Sequence, residues 1–131
     1  MKKIMFFKFF FIIFFYSFSF FSLTLEKMNV ELNYPWGMTW IDSTNLLITE
    51  KKSKEIILFN VQSNTSSKIK HEIPVAALGQ GGLLDIVSEG NTIWITCSIH
   101  KEGLLTTAIF KSRLENNTLI DTQLIFDARP Y

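Results

Sequence analysis

The sequence predicts an all-β protein in which one four-stranded unit is used twice. Short β-prone runs alternate with turn residues, and no helical periodicity follows residue 24. The pattern then recurs: Ile48-Thr49 corresponds to Ile95-Thr96, an offset of 95 − 48 = 47 residues. Four short strands per roughly 40–50 residues is the signature of a propeller blade. The same runs also fit an eight-stranded, two-sheet sandwich.

The first unit opens with Met38 to Ile41, turns at Asp42-Ser43-Thr44-Asn45 and returns as Leu46 to Thr49. Asp, Ser and Asn favour such turns because their side chains hydrogen-bond nearby backbone. Glu50 to Lys54 is a charged turn before Ile56 to Phe59, and the charges at Glu50 to Glu55 read as a solvated hairpin tip. A polar loop, Gln62 to Ser67, precedes a weaker strand over Lys68 to Ile73. The second unit runs Leu83 to Val87, a turn at Glu89-Gly90-Asn91, Ile93 to Ser98, a longer loop at Ile99 to Leu105, Thr106 to Arg113, a turn at Glu115-Asn116-Asn117, and Leu119 to Phe126. The apolar first strand of each unit is expected to line a channel and be buried on both faces. Trp36, Trp40 and Trp94 are expected between blades. Two blades cannot close a ring of four to eight, so the chain is expected to be part of a larger propeller.

The N-terminus is a separate problem. Lys2, Lys3 and Lys8 precede an apolar run from Phe9 to Tyr16 that continues, with serine interruptions, to Phe21. A basic start followed by a short apolar region and small residues describes a secretory signal peptide over residues 1–24. The longer stretch Ile4 to Leu25 also fits an uncleaved anchor helix, the one route by which this chain would meet a membrane. The expected location is periplasmic or secreted. The three lysines are the only charges of the segment, so its removal takes the formal charge from +1 to −2. Residues 25–131 then carry no electrostatic footprint for nucleic acid. The lone Cys97 lies in an alternating strand pattern and reads as a small buried apolar residue.

The segment Gly79-Gln80-Gly81-Gly82-Leu83-Leu84-Asp85 is the most informative stretch. No Lys follows the glycines, which excludes a P-loop, and Leu84 stands where a dinucleotide fingerprint needs its third Gly. The segment reads as a constrained loop leading into an apolar strand, with the Gln80 amide able to donate and accept hydrogen bonds. A purely conformational turn fits the same residues. Asp85 either faces a cleft near Gln80 or satisfies backbone amides at the top of the strand.

Other chemistry is sparse. His71 sits among Lys68, Lys70 and Glu72 and reads as a solvated strand-edge residue. His100 follows Cys97 at Cys-x2-His spacing, but two ligands do not make a zinc site, and a loop position is expected. Neither a Ser-His-Asp arrangement nor a carboxylate pair emerges from the spacing. Asn64-Thr65-Ser66 and Asn116-Asn117-Thr118 fit the glycosylation pattern.

Tyr34-Pro35-Trp36-Gly37-Met38, Leu46-Leu47-Ile48-Thr49-Glu50, the Gly79 to Asp85 segment and Ile125-Phe126-Asp127-Ala128-Arg129-Pro130, in this order and spacing, resemble the start of the glucose/sorbosone dehydrogenase family. The resemblance implies a six-bladed propeller that oxidises aldose sugars at C1 with pyrroloquinoline quinone (PQQ) and Ca2+. It implies that Gln80 binds the sugar. The catalytic base, a His in a His-Phe-Gly-Gly-type stretch, is expected after the equivalent of Pro130, so no catalytic residue is assigned within the chain. The residues that clamp the quinone and ligate calcium are likewise expected in later blades. The electron acceptor is left open. Ser88-Glu89-Gly90-Asn91 departs from the family's usual His-Pro-Asp-Phe-like turn. The rival function is a non-enzymatic secreted β module that binds a ligand or partner.

Overall fold

A computed structural model describes residues 23–128. The expected signal-peptide helix, and Arg129 to Tyr131, lie outside the described residues. Eight strands follow in order: β1 (Pro35–Trp40), β2 (Asn45–Glu50), β3 (Glu55–Asn60), β4 (Thr65–Ile69), β5 (Leu83–Glu89), β6 (Thr92–Lys101), β7 (Leu104–Glu115) and β8 (Thr118–Asp127). They form two four-stranded antiparallel sheets with consecutive order, β1-β2-β3-β4 and β5-β6-β7-β8. Every pairing within a sheet is a hairpin, so each sheet is a simple meander.

Turn chemistry explains where the chain reverses. Asn116 and Asn117 both have positive φ (47° and 57°), as do Glu102 and Gly103 (52° and 80°). Positive φ at both central residues is the mirror-type turn whose twist matches paired strands. The second of these turns corrects one expectation. Ile99 to Leu105 is not a loop, because β6 and β7 stay paired out to Lys101 and Leu104. His100 is therefore a strand residue opposite Leu105. The weaker strand also moves: β4 ends at Ile69, and residues 70–82 cross between the sheets without regular structure.

Alternation sets the core. Ile93, Ile95 and Cys97 of β6 and Ala108 and Phe110 of β7 turn toward Leu47, Ile56 and Ile69 of the first sheet. Ile73 and Val75 of the crossing segment complete the same cluster. Each such side chain contributes about 1.5–3 kcal/mol when fully buried. On the opposite face of the first sheet, Ile48, Ile57 and Phe59 form a second cluster under Met28, Val30 and Leu32. The central strands are the buried ones: Leu47 to Glu50 of β2 are all buried.

The first strands of the two units are not buried on both faces. Trp36, Met38 and Trp40 of β1 are exposed, and β5 buries Leu83 and Ile86 but exposes Asp85 and Val87. On these outer sides Trp36 and Trp40 are more than half exposed, and Trp94 is partly exposed under the Lys111 ammonium.

Polar contacts join the two sheets where β1 and β5 meet. The Thr49 hydroxyl accepts from Gly37 N–H at 2.9 Å and donates to the Leu84 carbonyl at 2.5 Å. Lower down, Ser88 N–H donates to the Thr39 hydroxyl at 3.2 Å, and the Ser88 hydroxyl donates to the Trp40 carbonyl.

Candidate functional site

The loop bearing Gln80 is shaped by its glycines and tied to the first sheet. Gly79 has φ +54°, and Gly81 N–H donates to the Leu78 carbonyl at 2.7 Å, closing a tight turn with Gly79 and Gln80 at its tip. Gly82 is needed for a different reason. A Cβ there would lie 2.2 Å from the Lys51 carbonyl oxygen, so only glycine lets the strand start pass the first sheet this closely. Leu83 N–H then donates to that Lys51 carbonyl at 3.1 Å, and Ser98 N–H donates to the Gly82 carbonyl at 2.8 Å. Gln80 itself is exposed. Its amide stands at the tip of a turn whose backbone is anchored on both sides.

Asp85 lies where the β5–β6 register shifts. Its carboxylate accepts from Ile86 N–H at 2.9 Å, and its own N–H donates to the Thr96 hydroxyl at 2.9 Å. A Cβ on Gly37 would come within 2.6 Å of the Asp85 carboxylate, so β1 passes directly against it. Of the two roles left open, the structure displays the backbone one, and the residue stays exposed.

The charged tip after β2 differs from expectation. Glu50 and Lys51 are buried, at 4% and 7% exposure, rather than solvated. Glu50 accepts from Asn33 N–H and from the Ser53 hydroxyl, each at 2.6 Å, which satisfies a carboxylate that would be costly to bury alone. The Lys51 ammonium sits 3.7 Å from the centre of the Trp36 ring. The Lys52 ammonium donates to the carbonyls of Gly79 and Gly81, the latter at 3.4 Å. Sequence reasoning missed both lysines. A run of charges between two strands looks like any solvated tip; Lys51 finds its partner on β1 of its own sheet, and only the approach of the glycine turn gives Lys52 its partners.

The remaining candidates are structural. His71 is bonded to backbone on both ring nitrogens, to the Lys54 carbonyl at 2.8 Å and to Ile73 N–H at 3.3 Å, rather than solvated at an edge. Cys97 is fully buried, and burial pushes its thiol up to about 11, so the thiolate that metals and electrophiles require is suppressed. Among the described residues no group of three or more His, Cys, Asp or Glu is placed to hold a metal ion, and no calcium ligand is assigned here. Lys51 and Lys52, which flank the glycine turn, are already engaged with Trp36 and the turn carbonyls, so neither is assigned to a quinone. A cleft on the first sheet, lined by Glu31, Glu50, Ser53, Glu55 and Lys68, involves neither Gln80 nor Asp85.

Comparison with known proteins fixes what this arrangement belongs to. The profile of the glucose/sorbosone dehydrogenase family matches residues 32–131. The aldose sugar dehydrogenase YliI of Escherichia coli (strain K12) is 23% identical over 117 residues, covering 83% of this chain and 32% of that protein. An uncharacterized protein of Synechocystis, slr1608, is 29% identical over 112 residues, covering 73% of this chain and 26% of its own length. The chain thus spans about a third or less of these relatives. Among solved structures, a glucose dehydrogenase superposes with TM-score 0.74 at 26% identity, over 82% of this chain and 34% of that one. The PQQ-bound aldose sugar dehydrogenase of Streptomyces coelicolor superposes with TM-score 0.71 at 17% identity, over 82% and 34%. The consecutive strand order and these superpositions identify the two sheets as two blades of a β-propeller, not a free-standing sandwich. With the family profile spanning both blades and the glycine turn between them, the chain belongs to the glucose/sorbosone dehydrogenase family.

Proposed function

We propose that this chain supplies the first two blades of an exported, PQQ-dependent oxidoreductase that oxidises aldose sugars at C1, with Gln80 as a sugar contact. The observation that carries the reading is the exposed Gln80 amide on an anchored turn, in a chain matched by the family profile across residues 32–131. A carboxamide both donates and accepts, so it can bridge neighbouring sugar hydroxyls. Asp85 is the second proposed sugar contact, supported by its exposure near the start of the strand that the glycine segment enters. When bound, the quinone would take the hydride from the sugar; the residues that would hold it, the calcium ligands and the base are not assigned to this chain. Residues 1–24 are proposed to be the export signal, supported by three lysines ahead of an apolar run.

Two experiments test this. Codons downstream of Tyr131 should encode a His-Phe-Gly-Gly-like stretch, and the propeller they complete, loaded with PQQ, should oxidise aldoses. Gln80→Leu should then lower kcat/KM about tenfold to a hundredfold, the loss of one or two hydrogen bonds to substrate. A completed propeller that binds a sugar or protein without turnover would instead favour the non-enzymatic module. N-terminal sequencing of the exported protein should begin near Leu25, and a retained Met1 would overturn the cleaved signal.

A further inference from the structure

We propose that Lys52 is the positioning residue for Gln80, so that the first blade sets the group by which the second blade meets the sugar. The proposal rests on the reading of Gln80 as a sugar contact. Lys52 is partly buried, and its ammonium donates to the carbonyls of Gly79 and Gly81, one on each side of Gln80. The Gly79 carbonyl lies in the peptide plane that enters Gln80, and the Gly81 carbonyl lies in the Gly81–Gly82 plane that leads out of the turn. Turning the Gly79–Gln80 plane swings its carbonyl off the ammonium and re-aims the Gln80 side chain, while the bond to the Gly81 carbonyl holds the exit of the turn.

Packing cannot do this job on the Gly79 side. A Cβ at Gly79 would meet nothing within 4 Å, whereas a Cβ at Gly81 would lie 2.8 Å from the Ala76 carbonyl oxygen. One flank of the turn is held by close contact and the other stands in open space. The open flank is the one Lys52 grips. An ammonium bonded to a carbonyl is a charge-assisted hydrogen bond, stronger than a neutral one.

The grip is useful only if Lys52 is itself held, and the surrounding turn is pinned. Glu50 accepts from the Ser53 hydroxyl at 2.6 Å, and Lys54 N–H donates to the Glu50 carbonyl at 3.1 Å. Lys54 takes a positive φ of 64°, and its carbonyl is bonded by His71 Nε2 at 2.8 Å. Because His71 Nδ1 accepts from Ile73 N–H, Nε2 carries the proton and donates. The chain of contacts runs from the crossing segment through the β2–β3 turn to the tip at Gln80.

Backbone amide exchange in the 131-residue chain tests the tether directly. Lys52→Met should speed exchange of Gly81 N–H about tenfold, as expected for loss of one partly exposed charge-assisted bond. The core amides of Ile95 and Phe110 should keep their rates, and Lys52→Arg should restore Gly81. Gly81 exchange within about twofold of the parent, or faster exchange at all amides alike, would overturn the tether. In the completed, quinone-loaded propeller, Lys52→Met should raise the KM for aldose more than it lowers kcat, and Lys52→Arg should recover it. Gln80→Leu separates the two readings. If it leaves KM unchanged while Lys52→Met still frees Gly81, the sugar contact falls and the positioning role falls with it, leaving only a loop tether. If Gln80→Leu raises KM and Lys52→Met changes neither exchange nor KM, Gln80 stands and Lys52 falls.

Discussion

Asp42 shows how one side chain closes a hairpin. Its carboxylate accepts from Thr44 N–H and Asn45 N–H, each at 2.8 Å, and from the Asn45 side-chain amide at 2.8 Å. These bonds favour the charged form, the Asn45 side-chain amide most, and hold the carboxyl at about 2 against an ordinary 3.8. A folded value below the unfolded one stabilises the fold fully above the unfolded value, and that contribution is lost as pH falls through the folded one. The window is therefore about pH 4 down to about pH 2. An NMR titration should place the Asp42 carboxyl near 2, and Asp42→Ala should flatten the fall in stability across that window. A carboxyl titrating near 3.8 would show that the turn bonds do not persist in solution. Cys97, whose thiol moves the other way, owes its shift to burial alone.

Strand hairpins were legible in the sequence where local chemistry chose them. Asp42 to Asn45 and Glu115 to Asn117 carry side chains that stabilise a turn by themselves, and both turns stand where that chemistry puts them. The hairpin at Glu102-Gly103 was not legible. Its single glycine sits among charges, and the pairing of Thr92–Lys101 with Leu104–Glu115 is decided along ten residues of ladder rather than at the tip. The site divides in the same way. Gln80 on a glycine turn could be read from seven residues, because the positive φ of Gly79 is a local demand of the turn. The lysine that holds the turn could not, because Lys52 acquires partners 27 and 29 residues away only after the sheets meet. What covers the outer face of β1 was not legible either. Alternation reports which residues are apolar, but what covers an outer face is a property of neighbouring blades.

At the scale of the whole molecule, the two blades share one core rather than owning one each. Leu47, Ile56 and Ile69 of the first sheet and Ile86, Ile95 and Phe110 of the second belong to a single buried cluster. The outer faces are a different matter: Met38, Trp40, Val87 and Phe126 are all more than half exposed. Exposed apolar surface of this kind promotes association, so the isolated chain is expected to be poorly soluble. A shared core makes unfolding of one blade expose the core of the other, which couples their melting. Thr49 is the sharpest probe of that coupling, since its buried hydroxyl bridges Gly37 N–H in β1 and the Leu84 carbonyl in β5. Thr49→Val keeps the shape and removes the bridge, leaving a donor in one blade and an acceptor in the other without their partner. The expected cost is about 1–3 kcal/mol, felt by both blades at once. Fluorescence of Trp36 and Trp40 in a Trp94→Phe background, and of Trp94 in a Trp36→Phe/Trp40→Phe background, reports the blades separately. Both signals should share one midpoint in the parent chain and move down together in Thr49→Val. Two separated midpoints, or a shift confined to the first blade, would show that the blades fold independently and that the hydroxyl serves β1 alone.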